Sequence, residues 1–217
     1  MIQVKQFVFN HIQVNCFVLW DEITKKCAIV DPGMETAHED ALLFQYIAEQ
    51  GLTPTLILLT HAHVDHIAGL RQVSEKYGLP VTMHADGTKL LKQAPSWGSV
   101  LQFDVPRMDD IATNPIIDGD ILRLGESEIE THFVPGHCPG SMVYVLHQEQ
   151  IVFTGDALFR FSIGRTDFPG GDYNLLVERL RTRVFTLPDN YMILPGHGDC
   201  SSIGEELRGN PFLEGME

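Results

Sequence analysis

The sequence predicts an α/β protein that folds as a layered sandwich. Two β-rich halves, within residues 3–31 and 121–154, are each accompanied by stretches with helical periodicity. The strands come in runs and do not alternate one by one with helices, which disfavours repeated βαβ units. We expect residues 1–217 to form one domain, because a chain of this length falls within the usual range of a single globular unit.

The first half begins with three β-rich stretches, at residues 4–9, 15–20 and 27–30, which predict an antiparallel meander. The third stretch ends in the turn signal Asp31-Pro32-Gly33. Apolar residues at helical spacing then predict a helix at 37–50, which Gly51 ends. It is followed by a predicted strand at 55–60, buried on both faces, and by a predicted helix at about 66–77.

The second half holds most of the remaining strands. A brief strand and a helix, near 81–83 and 86–93, precede residues 94–115, which we expect to be a long surface loop because they contain three prolines. A further helix starts after Asp172, a good N-cap residue. The other predicted elements are strands near 121–124, 128–134, 142–146, 151–154 and 191–194, and a short helix near 203–208.

The composition excludes several functional classes. The chain has 15 Lys and Arg against 29 Asp and Glu, a net charge of −14 that repels phosphate backbones and anionic lipids, so we expect no nucleic-acid or membrane partner. No apolar run approaches the roughly 18 residues of a membrane span. The four cysteines form no CxxC pair, in a chain too large to depend on disulfides, which favours a cytoplasmic protein.

Three histidines and a carboxylate follow the predicted buried strand, in the segment THAHVDH. Alternate residues of an extended chain point the same way, so His61 and His63 can bind one ion, while Asp65 and His66 face a neighbouring position. Clustered imidazoles at a buried strand end repel one another when protonated and are difficult to satisfy otherwise. We therefore interpret the cluster as metal ligands and not as ordinary loop residues.

Three later segments share one design, an apolar run followed by glycine and a candidate ligand. FVPGH ends at His137, IVFTGD at Asp156 and YMILPGH at His197. Glycine permits close backbone approach, so four strand ends can converge on one place. The seven residues offer nitrogen and oxygen donors, which divalent transition metals accept. The sequence therefore predicts a metal centre.

These motifs resemble those of the metallo-β-lactamase fold superfamily, and specifically its glyoxalase II-like hydrolases. THAHVDHIAG matches the HxHxDH signature, and PGHCPGS, FTGDALF, GRTDFPGG and PGHGDCSSIGEELRGNPF match later blocks in the same order. The resemblance implies a four-layer αβ/βα sandwich with a binuclear metal site at the edge of the two sheets. It further implies a ligand assignment: His61, His63 and His137 for the first metal, Asp65, His66 and His197 for the second, and Asp156 as the bridge.

The same resemblance implies an activity. Two divalent metal ions, zinc before iron or manganese, would hold a bridging hydroxide that cleaves S-lactoylglutathione or a related acyl thioester. Asp65 would be catalytic by orienting the hydroxide while ligating. The expected partner is a small-molecule thioester, and the expected assembly is a monomer or a small homo-oligomer.

The chain also departs from the longer glyoxalase II enzymes. It ends soon after the NPF block, so we expect their C-terminal glutathione-binding domain to be absent. Gly198-Asp199-Cys200 replaces their GHEYT tyrosine segment. Arg165, in GRTDFPGG, is expected to bind a substrate carboxylate, with a structural salt bridge to Asp167 or Asp172 as the alternative.

Other assignments remain open. Persulfide dioxygenases share the fold and the GRTDF segment but bind one iron through two His and one Asp; their usual PAHDY segment is PGHGD here, which favours a hydrolase. The later blocks favour glyoxalase II-like chains over β-lactamases, and a non-enzymatic metal-binding protein is disfavoured because no ligand position is missing. We expect Asp31 to orient a metal-binding histidine and Cys138 to point away from the site.

Overall fold

Fourteen strands lie in two six-stranded sheets and a two-stranded ribbon, in a computed structural model that describes residues 1–213. Residues 214–217 of the expected domain lie outside the described residues. The first sheet contains β1 (Ile2–Phe9), β2 (Val14–Asp21), β3 (Lys26–Val30), β4 (Thr53–Leu58), β5 (Val81–His84) and β6 (Thr113–Ile116). The second contains β7 (Ile121–Leu124), β8 (Ser127–Phe133), β9 (Met142–Leu146), β10 (Ile151–Gly155), β13 (Met192–Pro195) and β14 (Ser201–Ser202), and the ribbon pairs β11 (Leu158–Phe159) with β12 (Ser162–Ile163).

The strand pairing sets the direction of each strand end. The first three strands form the predicted antiparallel meander, and β3 to β6 then pair in parallel. In the second sheet β7 to β10 are antiparallel, β10 pairs in parallel with β13, and β13 pairs in antiparallel with β14. The carboxyl ends of parallel neighbours meet at the same edge of a sheet, which brings the following loops together.

Six α-helices cover the outer faces of the sheets. They are α1 (Ala37–Glu49), α2 (Val64–Ile67), α3 (Leu70–Tyr77), α4 (Thr88–Leu101), α5 (Tyr173–Arg179), which continues as a π-helical turn (Leu180–Val184), and α6 (Ile203–Gly209). As predicted, Asp172 caps α5 by accepting a hydrogen bond from the Leu175 amide. Among the described residues, none of the helices combines the length and the apolar character that crossing a bilayer requires.

Three buried clusters establish the four layers. Along β9, Val143 and Val145 pack towards the helices of the second half, while Tyr144 and its neighbours pack between the sheets. Cys16 and Val18 of β2 likewise face the helices of the first half, and the intervening residues face the second sheet. This period of two is what strands buried on both faces require. The predicted αβ/βα sandwich is thus confirmed.

The predicted surface loop at 94–115 is wrong at both ends. Helix α4 continues through Pro95 to Leu101, because Leu91, Ala94 and Gly98 are buried on its inner face and this burial outweighs the hydrogen bond that proline removes. Pro115 lies in β6, the last strand of the sheet, where a missing donor is tolerated.

The helix predicted at 66–77 is two helices. The first begins at Val64, and the chain breaks at Gly69, whose amide donates to the Pro32 carbonyl at 2.9 Å. A side chain at Gly69 would place its Cβ 2.6 Å from the Met34 methyl carbon. The break therefore follows from close packing against the turn after β3, and it leaves Asp65 and His66 on a single short helix.

Candidate metal centre

The seven predicted ligands lie together on loops that follow four strands. His61 and His63 come after β4, with Asp65 and His66 in the adjoining α2. The other three, which follow β8, β10 and β13, are His137, Asp156 and His197. The structure therefore brings every candidate ligand to one place.

The first group is formed by three imidazoles. The Nδ1 atom of His63 lies 3.1 Å from His61 Nε2 and 2.9 Å from His137 Nε2. His137 Nδ1 lies 2.7 Å from the backbone oxygen of Arg165, to which it donates. Because Nδ1 carries the proton in that bond, the lone pair of His137 Nε2 is available to a metal ion.

The second group combines two imidazoles with a carboxylate, and Asp156 reaches both groups. Asp65 Oδ2 lies 3.0 Å from His197 Nε2 and 3.6 Å from His66 Nε2. The Oδ1 atom of Asp156 is 3.2 Å from His66 Nε2, while its Oδ2 atom is 3.7 Å from His137 Nε2 and 3.8 Å from His197 Nε2. The Oδ2 atom therefore lies near a histidine of each group, and a carboxylate in this position is suited to lie between two ions.

The donor set fits divalent transition metals. His66 Nε2 and Asp156 Oδ1 are buried and lie 3.2 Å apart, yet neither makes a hydrogen bond of acceptable geometry within residues 1–213. Leaving such atoms unsatisfied is costly, and an ion would satisfy both. Two groups of three, His61–His66–Asp156 and Asp65–His66–His197, each hold their donor atoms within 4.8 Å of one another.

The electrostatics of the two groups differ. Burial, together with the neighbouring imidazoles, lowers the pKa of His61 well below its usual value and that of His63 to about 4, so both are neutral, as metal ligation requires. Burial alone would lower the pKa of His66 as well, but Asp156, Asp65 and Asp31 together raise it. Burial alone would raise the pKa of Asp156, yet His66 holds it far below its usual range.

Asp31 orients a histidine, as expected. Its Oδ2 atom accepts a hydrogen bond from His66 Nδ1 at 2.9 Å and another from the Thr60 hydroxyl at 2.6 Å, while Oδ1 accepts from the Thr60 amide at 2.8 Å. These contacts hold the His66 ring with Nε2 towards Asp156. Such an outer carboxylate fixes both the ring orientation and the tautomer of a metal-binding histidine.

Two asparagines that sequence reasoning missed connect the site loops. The Asn15 amide group donates to the Pro195 and Gly198 carbonyls, both at 2.9 Å, and so holds the His197 loop against β2. Asn10 donates to the Asp65 carbonyl at 2.9 Å. An asparagine within an apolar strand indicates a buried polar contact, but the sequence does not reveal that the partner lies 180 residues away.

Position 196 requires glycine because side chains of the site approach its backbone closely, which agrees with the predicted design. A Cβ at this position would lie 2.2 Å from Asp156 Oδ1 and 2.7 Å from His66 Cε1. Any side chain would therefore displace the Asp156 carboxylate or the His66 ring.

The expectation for Cys138 is wrong. Its Sγ atom does not point away but lies with donor atoms of His61, His63 and His137, all within 4.8 Å of one another. The sulfur also lies 3.3 Å from the Ser141 hydroxyl. Burial raises the pKa of this thiol to about 12, so it is protonated and a poor nucleophile.

Arg165 forms the salt bridge that was its alternative role. Its Nε and Nη2 atoms each donate to an Asp167 oxygen at 2.8 Å, and its guanidinium lies 3.7 Å from the centre of the Phe168 ring. Asp172 is not part of this pair because it caps α5. The pair is more than half exposed, so it is held weakly enough to exchange partners.

Two cavities, each of about 350 Å³, adjoin the metal centre. The Arg165 cavity is lined by Ile12, His63, Asp65, Leu101, His137, Asp156, Phe159, Arg165, Phe168 and His197. The Trp97 cavity is lined by Ala62, His63, Val64, Asp65, Asp86, Lys89, Leu90, Gln93, Ala94, Trp97, Leu101, Pro139, Phe168, Pro169 and Gly170. Their four shared residues are His63, Asp65, Leu101 and Phe168, so the cavities meet beside the candidate ligands.

Known proteins resemble this chain over nearly its full length. The model of the metallo-beta-lactamase superfamily matches residues 10–197, a range that contains all seven candidate ligands. The chain is 37% identical over 204 residues to the hydroxyacylglutathione hydrolase GloC of Haemophilus influenzae, with 93% of each chain covered. It is 39% identical over 209 residues to the probable metallo-hydrolase YqgX of Bacillus subtilis, with 94% of each covered.

Other similarities extend to different activities. The chain is 34% identical over 202 residues to the mitochondrial persulfide dioxygenase ETHE1 of Mus musculus, a match that covers 91% of this chain and 70% of that protein. Among solved structures, the BLEG-1 B3 metallo-beta-lactamase superposes with a TM-score of 0.88 at 34% identity, covering 98% of this chain and all of the other. TTHA1623, solved in a di-iron-bound form, superposes with a TM-score of 0.85 at 32% identity, covering 96% and 100%.

Proposed function

Because the chain belongs to the metallo-β-lactamase superfamily, we propose that it is a metal-dependent hydrolase of acyl thioesters. S-lactoylglutathione or a related thioester is the proposed substrate, in line with the similarity to hydroxyacylglutathione hydrolase GloC. One observation carries the proposal: Asp156 Oδ2 lies 3.7 Å from His137 Nε2 of the first group and 3.8 Å from His197 Nε2 of the second. That arrangement suits two ions that share a carboxylate, as two-metal hydrolytic sites do.

The proposed ligand roles follow the two groups. His61, His63 and His137 would hold the first ion, Asp65, His66 and His197 the second, with Asp156 between them. Such a pair of ions acidifies a water molecule towards neutral pH and polarises a carbonyl oxygen. We propose zinc, which accepts nitrogen and oxygen donors; iron, as in di-iron TTHA1623, and manganese are the alternatives.

The chain's own residues would orient the reactants. Asp65 lines both cavities and lies beside His66 and His197, so its carboxylate is suited to orient the attacking water as a catalytic group. A thiol has a pKa of about 8.5, so the departing thiolate needs little help from a general acid. A thioester is therefore a substrate that this set of residues can cleave without a dedicated proton donor.

The compartment is also a proposal. Cys16, Cys27, Cys138 and Cys200 are all free thiols in the structure. Free cysteines are typical of reducing compartments, which supports the cytoplasm as the site of action.

A persulfide dioxygenase is the second candidate, because the chain is similar to ETHE1. That chemistry needs one iron with open positions, for which two His and one Asp suffice. The presence of a second complete group, Asp65, His66 and His197, favours the hydrolase over this alternative.

A steady-state assay of the purified, metal-loaded protein tests the proposal. We expect hydrolysis of S-lactoylglutathione with a high KM, because Gly198-Asp199-Cys200 replaces the tyrosine segment that contacts glutathione in longer enzymes. Other thioesters, glutathione persulfide and a chromogenic β-lactam serve as competing substrates. Turnover of the persulfide or the β-lactam without cleavage of any thioester would reject the proposed function.

Arg165→Ala tests the proposed carboxylate contact. We expect KM for S-lactoylglutathione to rise by about tenfold with little change in kcat, the pattern of a binding interaction that is equal in the ground and transition states. Arg123→Ala is the matched control, since it breaks a comparable exposed pair with Glu128 on the distant β7–β8 hairpin. Identical kinetics for the Arg165 variant and the parent would leave the arginine with only its salt bridge to Asp167.

A further inference from the structure

The Trp97 cavity is apolar in its interior. Val64 and Ala94 are buried, and the half-buried Leu90, Trp97 and Phe168 complete its walls. Of its charged members, Asp86 and Lys89 are exposed and lie at the rim, and Asp65 lies where the cavity meets the candidate metal centre. Nothing in the proposed cleavage chemistry uses these apolar side chains, so the cavity needs a separate explanation.

Phe168 stands between this cavity and the Arg165 cavity. Its ring centre lies 5.6 Å from that of Trp97, 6.0 Å from that of His63 and 3.7 Å from the Arg165 guanidinium. Both cavities also contain His63 and Asp65 of the candidate metal centre. A thioester whose reacting carbon lies at this centre can therefore place its acyl group in one cavity and its thiol carrier in the other.

The size of the Trp97 cavity exceeds what a lactoyl group needs. A lactoyl group has about five heavy atoms. If each takes up roughly 30 Å³, the volume of one water molecule in the liquid, the group occupies less than half of the cavity. The cavity volume of about 350 Å³ therefore leaves room for an acyl group at least twice that size. A lactoyl hydroxyl would also meet mainly apolar side chains there, and an unpaired hydroxyl is costly to bury.

The chemistry of the cavities decides which part of a thioester enters which. Thiol carriers such as glutathione bear carboxylates, and an apolar cavity cannot desolvate them favourably. Arg165 offers a guanidinium on the other side of Phe168. The carrier therefore belongs in the Arg165 cavity and the acyl group in the Trp97 cavity.

We propose that the preferred substrates are thioesters with an apolar acyl group of about eight carbons, aliphatic or aromatic, held against Trp97 and Phe168. This specificity rests on the proposed thioester hydrolysis and narrows it to an acyl class. It assigns α4, through Trp97, a role in substrate selection.

A series of glutathione thioesters with acetyl, butyryl, hexanoyl and octanoyl groups tests the preference, with the carrier held constant. We expect kcat/KM to rise by up to about fourfold for each added methylene until the cavity is full, the effect of transferring that group out of water. S-lactoylglutathione should rank near the short end. A flat or falling series, with thioesters still cleaved, overturns the proposed acyl preference and leaves the hydrolase proposal intact.

Three variants of α4 locate the effect. Trp97→Ala is expected to lower kcat/KM for the octanoyl substrate by about tenfold or more and to change the acetyl value by less than about twofold, because only the long chain reaches this wall. Trp97→Phe should retain most of the preference. Val100→Ala is the matched control on the same helix, at an exposed residue that does not line the cavity. Equal losses for acetyl and octanoyl substrates in Trp97→Ala would overturn the assignment.

Binding of S-alkylglutathiones, measured by calorimetry on the metal-loaded protein, separates this inference from the proposed function. These thioethers have no acyl carbon and are not hydrolysed. Affinity should increase from methyl to octyl in the parent and change little with length in Trp97→Ala. Affinity that does not depend on length overturns the cavity assignment, whereas length-dependent binding without cleavage of any thioester overturns the hydrolase proposal.

Discussion

Asp156→Ala is expected to lower thioester hydrolysis by more than about 100-fold, since losing only an outer partner of a metal ligand already costs about 10- to 100-fold in metal affinity or activity. The physical reason is the position of the carboxylate between His137 of the first group and His66 and His197 of the second. Metal analysis should show reduced occupancy of the second site.

Stability supplies a readout that does not depend on turnover. Saturating metal stabilises the native state by mass action, by about 2.7 kcal/mol per site at a free metal concentration 100 times Kd. We expect chelation to remove this gain from the parent protein and metal addition to restore it, whereas Asp156→Ala should gain less. Asp109→Ala, at an exposed carboxylate paired with Arg107, is the matched control. Parent-like metal content and turnover in Asp156→Ala would exclude Asp156 from the site.

The second large effect concerns His66→Ala and His197→Ala, which distinguish the hydrolase from the dioxygenase. Both remove donors of the second group and leave His61, His63 and His137 in place. A two-metal hydrolase should lose most of its thioesterase activity in both variants, while a one-iron dioxygenase should not depend on the second group.

Two variants are needed because the two histidines differ in their surroundings. His66 is fully buried and bonded to Asp31, so its loss also weakens folding, whereas His197 is partly exposed. His38→Ala, at an exposed position of α1, is the control. The parent should bind close to two metals per chain and consume no oxygen with glutathione persulfide. Oxygen uptake by an iron-loaded parent with one metal per chain, and no thioester cleavage, would establish the alternative.

Local sequence patterns were sufficient to predict most of the helices and strands. The strands predicted at 15–20 and 142–146 and the N-cap at Asp172 depend on neighbours in the chain, and the structure agrees with them. The prediction of a loop at 94–115 was wrong because the prolines and Gly98 indicate a loop only when their neighbours in the chain are considered. Burial of Leu91 and Ala94 against the first sheet is a tertiary contribution, and it decided the helix.

The candidate ligands were visible in the sequence because metal binding demands particular donor atoms at strand ends, and the HAHVDH segment concentrates four of them within six residues. Their surroundings were less accessible. Asp31 was identified by its place at the end of a strand, but Asn15 and the position of the Cys138 sulfur were not anticipated.

By itself, therefore, the sequence determined the layered α/β architecture, the family and the set of candidate ligands, since each depends on residue type and short-range spacing. The tertiary structure alone decided that Asp156 reaches both groups, that Asn15 holds the His197 loop, and that Trp97 meets Phe168 beside the metal centre. These contacts join residues far apart in the chain. Their distances depend on how two sheets and their helices pack, which no local pattern encodes.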